Sequence, residues 1–276
     1  RLTVHRRHGR IVNLPTRAVR GWNWDDSEYD WKKKPQHYGA IHFHRDDLHD
    51  CGWQTDFEWV VPDDLPSGIY AAELSQADAA GEETDQIVFF VRPRRGTRQA
   101  DLALLIPTAS YLAYGNHHMV TDWGFMENVE GNFSVMPPHA QFLETQQQFG
   151  LSTYDEHEDG SGVCLVSRLR PILHMRLGTD IWQFNADTHL TDWLEEKGYA
   201  CDILTDEDLH EEGVSLLEGY RCVVTATHPE YYTREMLDAV EAYKAKGGRF
   251  VYAGANGFYW RVAFSDAFPG AMEMRR

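Results

Sequence analysis

A chain of 276 residues, 42% of them hydrophobic, is long enough for two globular domains of about 100–200 residues each. Its formal net charge of −17 repels phosphate backbones and anionic lipids, so neither nucleic acid nor a membrane is expected as a partner. No run of about 18 apolar residues offers a membrane span. The start at Arg1 shows no charged-then-apolar leader, and the abrupt stop at Glu273-Met274-Arg275-Arg276 reads as a fragment of a longer polypeptide. Cys51, Cys164, Cys201 and Cys222 form no C-x-x-C pair. A disulfide framework or zinc ribbon is therefore not expected, and a reducing, cytoplasmic location is.

Residues 1–93 are predicted to be an antiparallel β-sandwich domain. Ile41-His42-Phe43-His44 alternates, and so do residues 53–61, with Phe57, Trp59 and Val61 on one face. A Pro/Asp/Gly turn follows at 62–68, then strands at 69–74 and 87–91 joined by a polar hairpin loop at 77–84. His42 and His44 would share a strand face, as zinc ligands do, with Asp47 and His49 nearby. An acidic, histidine-bearing surface hairpin or domain interface accounts for them more simply. A basic linker follows at 93–99, and the cluster Arg92, Arg94, Arg95 and Arg98 is read as its solvated face.

Residues 94–276 are predicted to be an α/β domain, doubly wound around a mostly parallel sheet. Leu102-Ala103-Leu104-Leu105-Ile106-Pro107 is apolar throughout, as expected of a strand covered on both faces. An amphipathic helix is expected over 188–197, stopped by Gly198. A strand at 201–204, a short acidic helix at 206–212 and a strand at 222–226 come next. Thr233 should cap a helix running to Lys246, before Gly247-Gly248 and a fourth strand at 249–253. A long insertion, from about Gly115 to Asp187, separates the first strand from the first long helix.

Ligands of such sheets bind beyond the carboxyl ends of the strands. Strand one leads into Thr108 through His118, strand three into Thr227-His228-Pro229-Glu230-Tyr231-Tyr232, and strand four into Gly254 through Trp260. Three separate segments thus deliver Tyr, His, Glu and Asn to one rim. His117 and His118 are adjacent and are read as loop residues near that rim. In the segment 152–162, Asp155-x-His157-x-Asp159-Gly160 imitates the start of a calcium loop, but position twelve is Val166 rather than Glu, which excludes an EF-hand. Gly160-Ser161-Gly162 is not a G-x-S-x-G elbow, so no serine hydrolase is indicated.

Four of these segments, in this order, carry a resemblance: Pro107-Thr108-Ala109-Ser110-Tyr111-Leu112-Ala113-Tyr114-Gly115-Asn116, residues 152–162, Thr227-His228-Pro229-Glu230-Tyr231, and Gly254-Ala255-Asn256-Gly257-Phe258-Tyr259-Trp260-Arg261-Val262. Together they resemble the N,N-dimethylformamidase large (beta) subunit family. The resemblance implies a glutamine-amidotransferase-like fold without its nucleophile, since His228-Pro229-Glu230 stands where that fold places a cysteine elbow. It implies a mononuclear Fe(3+) held by two tyrosinates and a glutamate. The glutamate falls on Glu230, one tyrosine on Tyr154, and the other on Tyr111 or Tyr114, which the motif does not separate. His228 and Asn256 would handle protons or orient the substrate. It further implies a small amide substrate (N,N-dimethylformamide, hydrolysed to dimethylamine and formate), an oligomer with a small partner subunit, and a further acidic residue downstream of this chain.

The chemistry is coherent. Free tyrosine titrates at about pH 10, but a hard trivalent cation favours the phenolate, and oxygen donors suit it. Two phenolates and a carboxylate balance the charge of Fe(3+), so the ion can sit in a poorly solvated pocket. Two rivals share the residues. One is a metal-dependent hydrolase of another amide. The other is a non-catalytic sugar- or small-ligand-binding module whose Trp and Tyr residues stack on the ligand, and iron content separates it from either enzyme.

Overall fold

The computed structural model describes residues 3–6, 9–12, 15–20, 24–25, 27, 33–43, 46–75, 84–118, 138–158, 160–178, 183–264 and 268–274. His44, Asp159 and most of the predicted loop at 77–84 lie outside them. The chain divides into two compact units. The first comprises Arg1–Gln54, Asn116–Pro171 and Asp266–Arg276, and the second Thr55–Gly115 and Ile172–Ser265.

In chain order the strands are β1 (Thr3–Arg6), β2 (Gly9–Val12), β3 (Pro15–Arg20), β4 (Tyr38–Phe43), β5 (Leu48–Asp50), β6 (Gly68–Ser75), β7 (Thr84–Val91), β8 (Leu102–Ile106), β9 (Leu165–Ser167), β10 (Cys201–Thr205), β11 (Cys222–Thr225), β12 (Tyr231–Tyr232), β13 (Arg249–Val251), β14 (Trp260–Phe264) and β15 (Ala271–Met274). The described helices are α1 (Thr108–Ala113), α2 (Pro138–Thr145), α3 (Phe184–Glu196), α4 (Asp206–Glu212), α5 (Val214–Leu217) and α6 (Arg234–Ala245).

The first unit is antiparallel. β1, β2 and β5 form one small sheet, β3 pairs with β4, and β15 pairs with β9. The insertion predicted after Gly115 supplies this unit with Asn116–Pro171. Asp47 and His49, expected on a surface hairpin or a domain interface, are buried, Asp47 beneath the 152–162 segment and His49 against the Phe268 ring. His157 Nδ1 stands 2.9 Å from Asp46 Oδ1, and its Nε2 3.4 Å from Asp47 Oδ1.

In the second unit the central sheet has the order β10-β8-β11-β13, and its three pairings are parallel. In chain order this is 2-1-3-4, so the winding reverses between β8 and β11. β8 explains why the sheet is covered twice. Side chains alternate across a strand, so Ala103 and Leu105 face a core built with Leu204, Leu209, Leu217, Val223, Met236 and Val240. Leu104 and Ile106 face the other core, built with Tyr111, Phe184, Ile203 and Ala226, against which Ile69, Val88 and Phe90 of the β6–β7 hairpin also pack. α4 to α6 cover the first face, and α1, α3 and the hairpin the second.

Local signals set the helix ends. Thr233 Oγ1 accepts the Met236 N–H at the start of α6, and Thr205 Oγ1 accepts the Asp208 N–H at the start of α4. Gly247, with φ of 87°, lies just beyond α6, in a conformation that costs glycine little.

Three expectations need correction. Residues 53–61 form no strand: they have no pairing partner among the described residues, and Val60 is 87% exposed. The first long helix begins at Phe184 instead of Thr188. Among the arginines after β7, Arg94 and Arg95 are solvated as expected, with side chains 73% and 71% exposed, but Arg92 is not. Arg92 Nη1 lies 2.6 Å from both Asp208 Oδ1 and Glu212 Oε1, Arg95 reaches Glu211 and Glu212, and Arg94 reaches Asp63. The acidic face of α4 supplied the partners that the linker reading lacked. All four cysteines are free thiols, as expected, and no described helix is long and apolar enough to cross a membrane.

Asp206, the first residue of α4, gives a test of this packing. It is buried, its Oδ2 accepts the Ala109 N–H at 3.0 Å, and burial together with the Glu207 charge pushes its carboxyl well above the usual range. The folded state therefore holds this proton at pH values where the unfolded chain, titrating at about 3.9, has released it. That stabilisation is complete below the unfolded pKa and is lost as pH rises. Asp206→Asn keeps an acceptor oxygen and cannot ionise. Urea unfolding at pH 4.5 and 7.5 should show wild type losing stability relative to the variant over that interval, whereas parallel profiles would show that the carboxylate is tolerated.

Candidate active site

The sheet reverses its winding between β8 and β11, and the segments leaving these two strands meet there. Pro107 ends β8, and α1 starts at once, with the Ser110 N–H on the Pro107 carbonyl at 2.9 Å. Ser110 and Tyr114 are four residues apart and share a helix face. That face looks onto His228-Pro229-Glu230, which leaves β11.

The His-Pro-Glu turn is held at its three carbonyls and at the Glu230 N–H. The Glu230 N–H bonds the His228 carbonyl at 3.0 Å, closing a three-residue turn about Pro229. Ser110 is fully buried. Its hydroxyl donates to the His228 carbonyl and accepts the Glu230 N–H at 3.3 Å. The Glu230 carbonyl receives the N–H groups of Tyr259 and Trp260 at 3.0 and 2.9 Å, and the Pro229 carbonyl that of Phe258 at 3.0 Å. The loop after β13 crosses here because Gly254 has no side chain: a Cβ would come within 2.6 Å of Pro229 Cδ and of the Thr227 carbonyl.

These bonds present the Glu230 carboxylate, only 2% exposed as a residue, to two partners. The Tyr114 hydroxyl lies 3.2 Å from Oε1 and 3.1 Å from Oε2. His228 Nδ1 lies 3.1 Å from Oε1, and its ring stays partly exposed. The Tyr114 ring meets the Tyr231 ring edge to face, with centroids 6.1 Å apart.

Tyr111 turns elsewhere. One residue along α1 rotates a side chain by about 100°, and its hydroxyl donates to Asp187 Oδ2 of α3. Burial and the Asp187 charge raise this phenol well above its ordinary pKa. The structure thus separates the two tyrosines that the motif left open: Tyr114 meets Glu230, and Tyr111 meets Asp187. Asn256 lies on the loop after β13, exposed and with a left-handed φ of 52°. That loop is tied to β11 by the Ala255 N–H on the Thr227 carbonyl at 2.8 Å.

Tyr154 belongs to the first unit and is half-buried, with its N–H on Ser152 Oγ at 3.1 Å. Beside it, Asp155 accepts the Ser152 N–H at 2.7 Å and lies 3.1 Å from His118 Nδ1. The hydrogen bond to Asp155 raises the His118 imidazole above its usual pKa. Burial works against Asp155, yet the bonds from His118 and Ser152 hold its carboxyl below the usual value.

Two residues that organise the site, Ser110 and Asp187, were not singled out in the sequence. The spacing of Ser110 and Tyr114, four residues apart, becomes a signal once 108–113 is known to be helical. Asp187 has no sequence signal, because its partners are 40 and 76 residues away.

Among the described residues, no group of three or more His, Cys, Asp and Glu is placed to hold a metal ion. Oxygens 3.1 Å apart can both lie about 2 Å from one cation, the length of a carboxylate–metal bond. Phenolate and carboxylate are hard donors suited to a hard ion. The Tyr114–Glu230 pair fits such an ion.

The unit is an α/β fold whose parallel sheet, of order 2-1-3-4, carries a buried glutamate, a tyrosine and a histidine at the switch point, the place where ligands of such sheets bind. A family model described as "N,N-dimethylformamidase beta subunit-like, C-terminal" matches residues 16–276, and the chain belongs to that family. It is 43% identical, over 98% of its length, to the N,N-dimethylformamidase beta subunit of Paracoccus aminophilus, and 41% identical over the same share to that of an Alcaligenes species. It spans 36% of the length of each of these relatives.

Ser110→Ala tests the clamp. The change leaves the buried His228 carbonyl without its hydroxyl donor. It should cost about 1–3 kcal/mol in chemical denaturation, and an unchanged midpoint would show that the turn stands without Ser110.

Proposed function

We propose that this chain carries most of the catalytic site of an iron-dependent amide hydrolase, acting on N,N-dimethylformamide or a similar small amide. One observation carries the reading: a buried glutamate at the sheet's switch point has a tyrosine hydroxyl across both oxygens and a histidine on one of them. The names of the relatives support the hydrolase and, as beta subunits, an assembly with another subunit, which the resemblance makes a small one. A cytoplasmic setting is part of the same proposal.

Glu230 and Tyr114 would hold a mononuclear ferric ion, and the resemblance assigns the second phenolate to Tyr154. When bound, the ion supplies Lewis acidity, polarising an amide carbonyl and making water a better nucleophile at neutral pH. Ser110 and the backbone bonds to residues 258–260 keep Glu230 in place without rearrangement. His228, held through Nδ1 against Glu230, is the group that transfers the proton. It accepts a proton from water as the new C–O bond forms. It returns the proton to the amide nitrogen as the C–N bond breaks, so the amine leaves neutral. Asn256 offers its carboxamide to orient the substrate carbonyl.

Iron analysis, visible absorption and dimethylamine release on the full-length subunit test the reading. A ferric tyrosinate centre should be coloured, and a colourless, iron-free, inactive protein would sink the proposal. Glu230→Gln should abolish iron retention and turnover while leaving the far-UV spectrum unchanged. If Glu230 merely complements the nearby start of α6, the same change costs at most about 1 kcal/mol and spares turnover. Tyr114→Phe and Tyr154→Phe should each weaken the visible band. Tyr111→Phe should instead lower stability, by about 1–2 kcal/mol, through the lost bond to Asp187.

A further inference from the structure

Asp187 touches neither Glu230 nor Tyr114, yet three elements of the second unit meet on it. It lies in the first turn of α3 and is fully buried. Its Oδ2 accepts the Tyr111 hydroxyl of α1, and its Oδ1 accepts the Thr227 N–H at 2.7 Å. Thr227 directly precedes His228.

The position of that N–H matters. β11 ends at Thr225, and the Ala226 N–H still reaches the Leu105 carbonyl at 3.3 Å. Thr227 is the first residue past the sheet, and the acceptor for its N–H is a side chain. Its carbonyl is taken by the Ala255 N–H. The chain therefore enters the His-Pro-Glu turn through a residue fixed on both sides. Asp187 holds the entry, Ser110 the middle, and the backbone of residues 258–260 the exit.

We propose that Asp187 is a positioning residue: by holding the Thr227 N–H against α1 and α3, it sets where the His228–Glu230 turn begins, and so brings the Glu230 carboxylate onto Tyr114. This rests on the reading of Glu230 and Tyr114 as an ion-binding pair. A purely structural Asp187 would matter only for packing α3 on α1. The alternatives differ in what they require. Packing needs the volume and a partner for Tyr111, whereas positioning needs an acceptor atom opposite Thr227. Asp187→Leu keeps the branched shape, fills the space and removes both acceptors. Asp187→Asn keeps an acceptor oxygen and loses only the charge.

The test uses the full-length subunit loaded with Fe(3+), comparing wild type with Asp187→Asn, Asp187→Leu and Asp187→Ala. Iron stoichiometry, the wavelength and intensity of the visible band, kcat and KM for N,N-dimethylformamide, and the thermal midpoint are measured on each. Positioning predicts that the Leu and Ala variants remain folded. Their kcat falls by about 100-fold, as expected for a displacement near 1 Å, KM changes little, and the band shifts or weakens. The Asn variant should restore the band and bring kcat to within about 5-fold of wild type, since a displacement too small to cost that 100-fold leaves the turn in place. A Leu variant with the wild-type band and kcat overturns the inference and leaves the reading of the site intact. Failure of both the Leu and Ala variants to fold also overturns it, because Asp187 would then hold the unit together rather than aim the turn. A colourless, inactive wild type removes the reading on which the inference stands.

Discussion

A carboxylate withdrawn from water must be given partners, and the second unit is organised around that requirement at Glu230. An isolated ionised carboxylate in an apolar setting costs several kcal/mol or more. Here the side chain meets a phenol and an imidazole, and its backbone N–H and carbonyl are satisfied by Ser110, His228, Tyr259 and Trp260. Such a group has few alternative positions. The arrangement is preorganised, in the sense that little has to move when a ligand arrives.

That preorganisation is built from the least deformable part of the unit. β8 is sealed on both faces, and packing at protein density transmits any displacement of it. α1 begins immediately beyond β8, so Ser110 and Tyr114 take their places from the sheet itself. β11 lies beside β8 in register, with Val223 opposite Ala103 and Thr225 opposite Leu105. The two segments that form the site therefore leave the sheet at one level. The reversal of winding between these strands opens the space into which their side chains project.

Charge is distributed to match. The chain is acidic overall, yet much of the acidity is spent locally: Asp208, Glu211 and Glu212 neutralise Arg92 and Arg95 after β7, and Asp155 pairs with His118 in the first unit. The buried carboxylates differ from these surface and half-buried pairs. Asp187 and Asp206 are held by neutral donors, and burial raises both. Glu230 differs again, in having a phenol and an imidazole on the same carboxylate.

Much of the parallel sheet was legible in the sequence, because its signals are local. Apolar runs marked β8, β10 and β11, Thr233 marked the start of α6, and glycines marked helix ends. The motifs also named Glu230 and His228, since residues beyond strand ends are close in sequence to the strands that carry them. What the sequence alone left open depended on side-chain direction and distant partners. Tyr111 and Tyr114 have equal standing in a motif, and only the helical path of α1, which turns one toward Asp187 and the other toward Glu230, separates them. The alternating residues 53–61 had the pattern of a strand, but a strand exists only where a neighbour accepts its hydrogen bonds. Asp187 was invisible, because a buried carboxylate is defined by what folds around it: a phenol 76 residues earlier and a backbone N–H 40 residues later, brought together by the packing of α1 and α3 on the sheet.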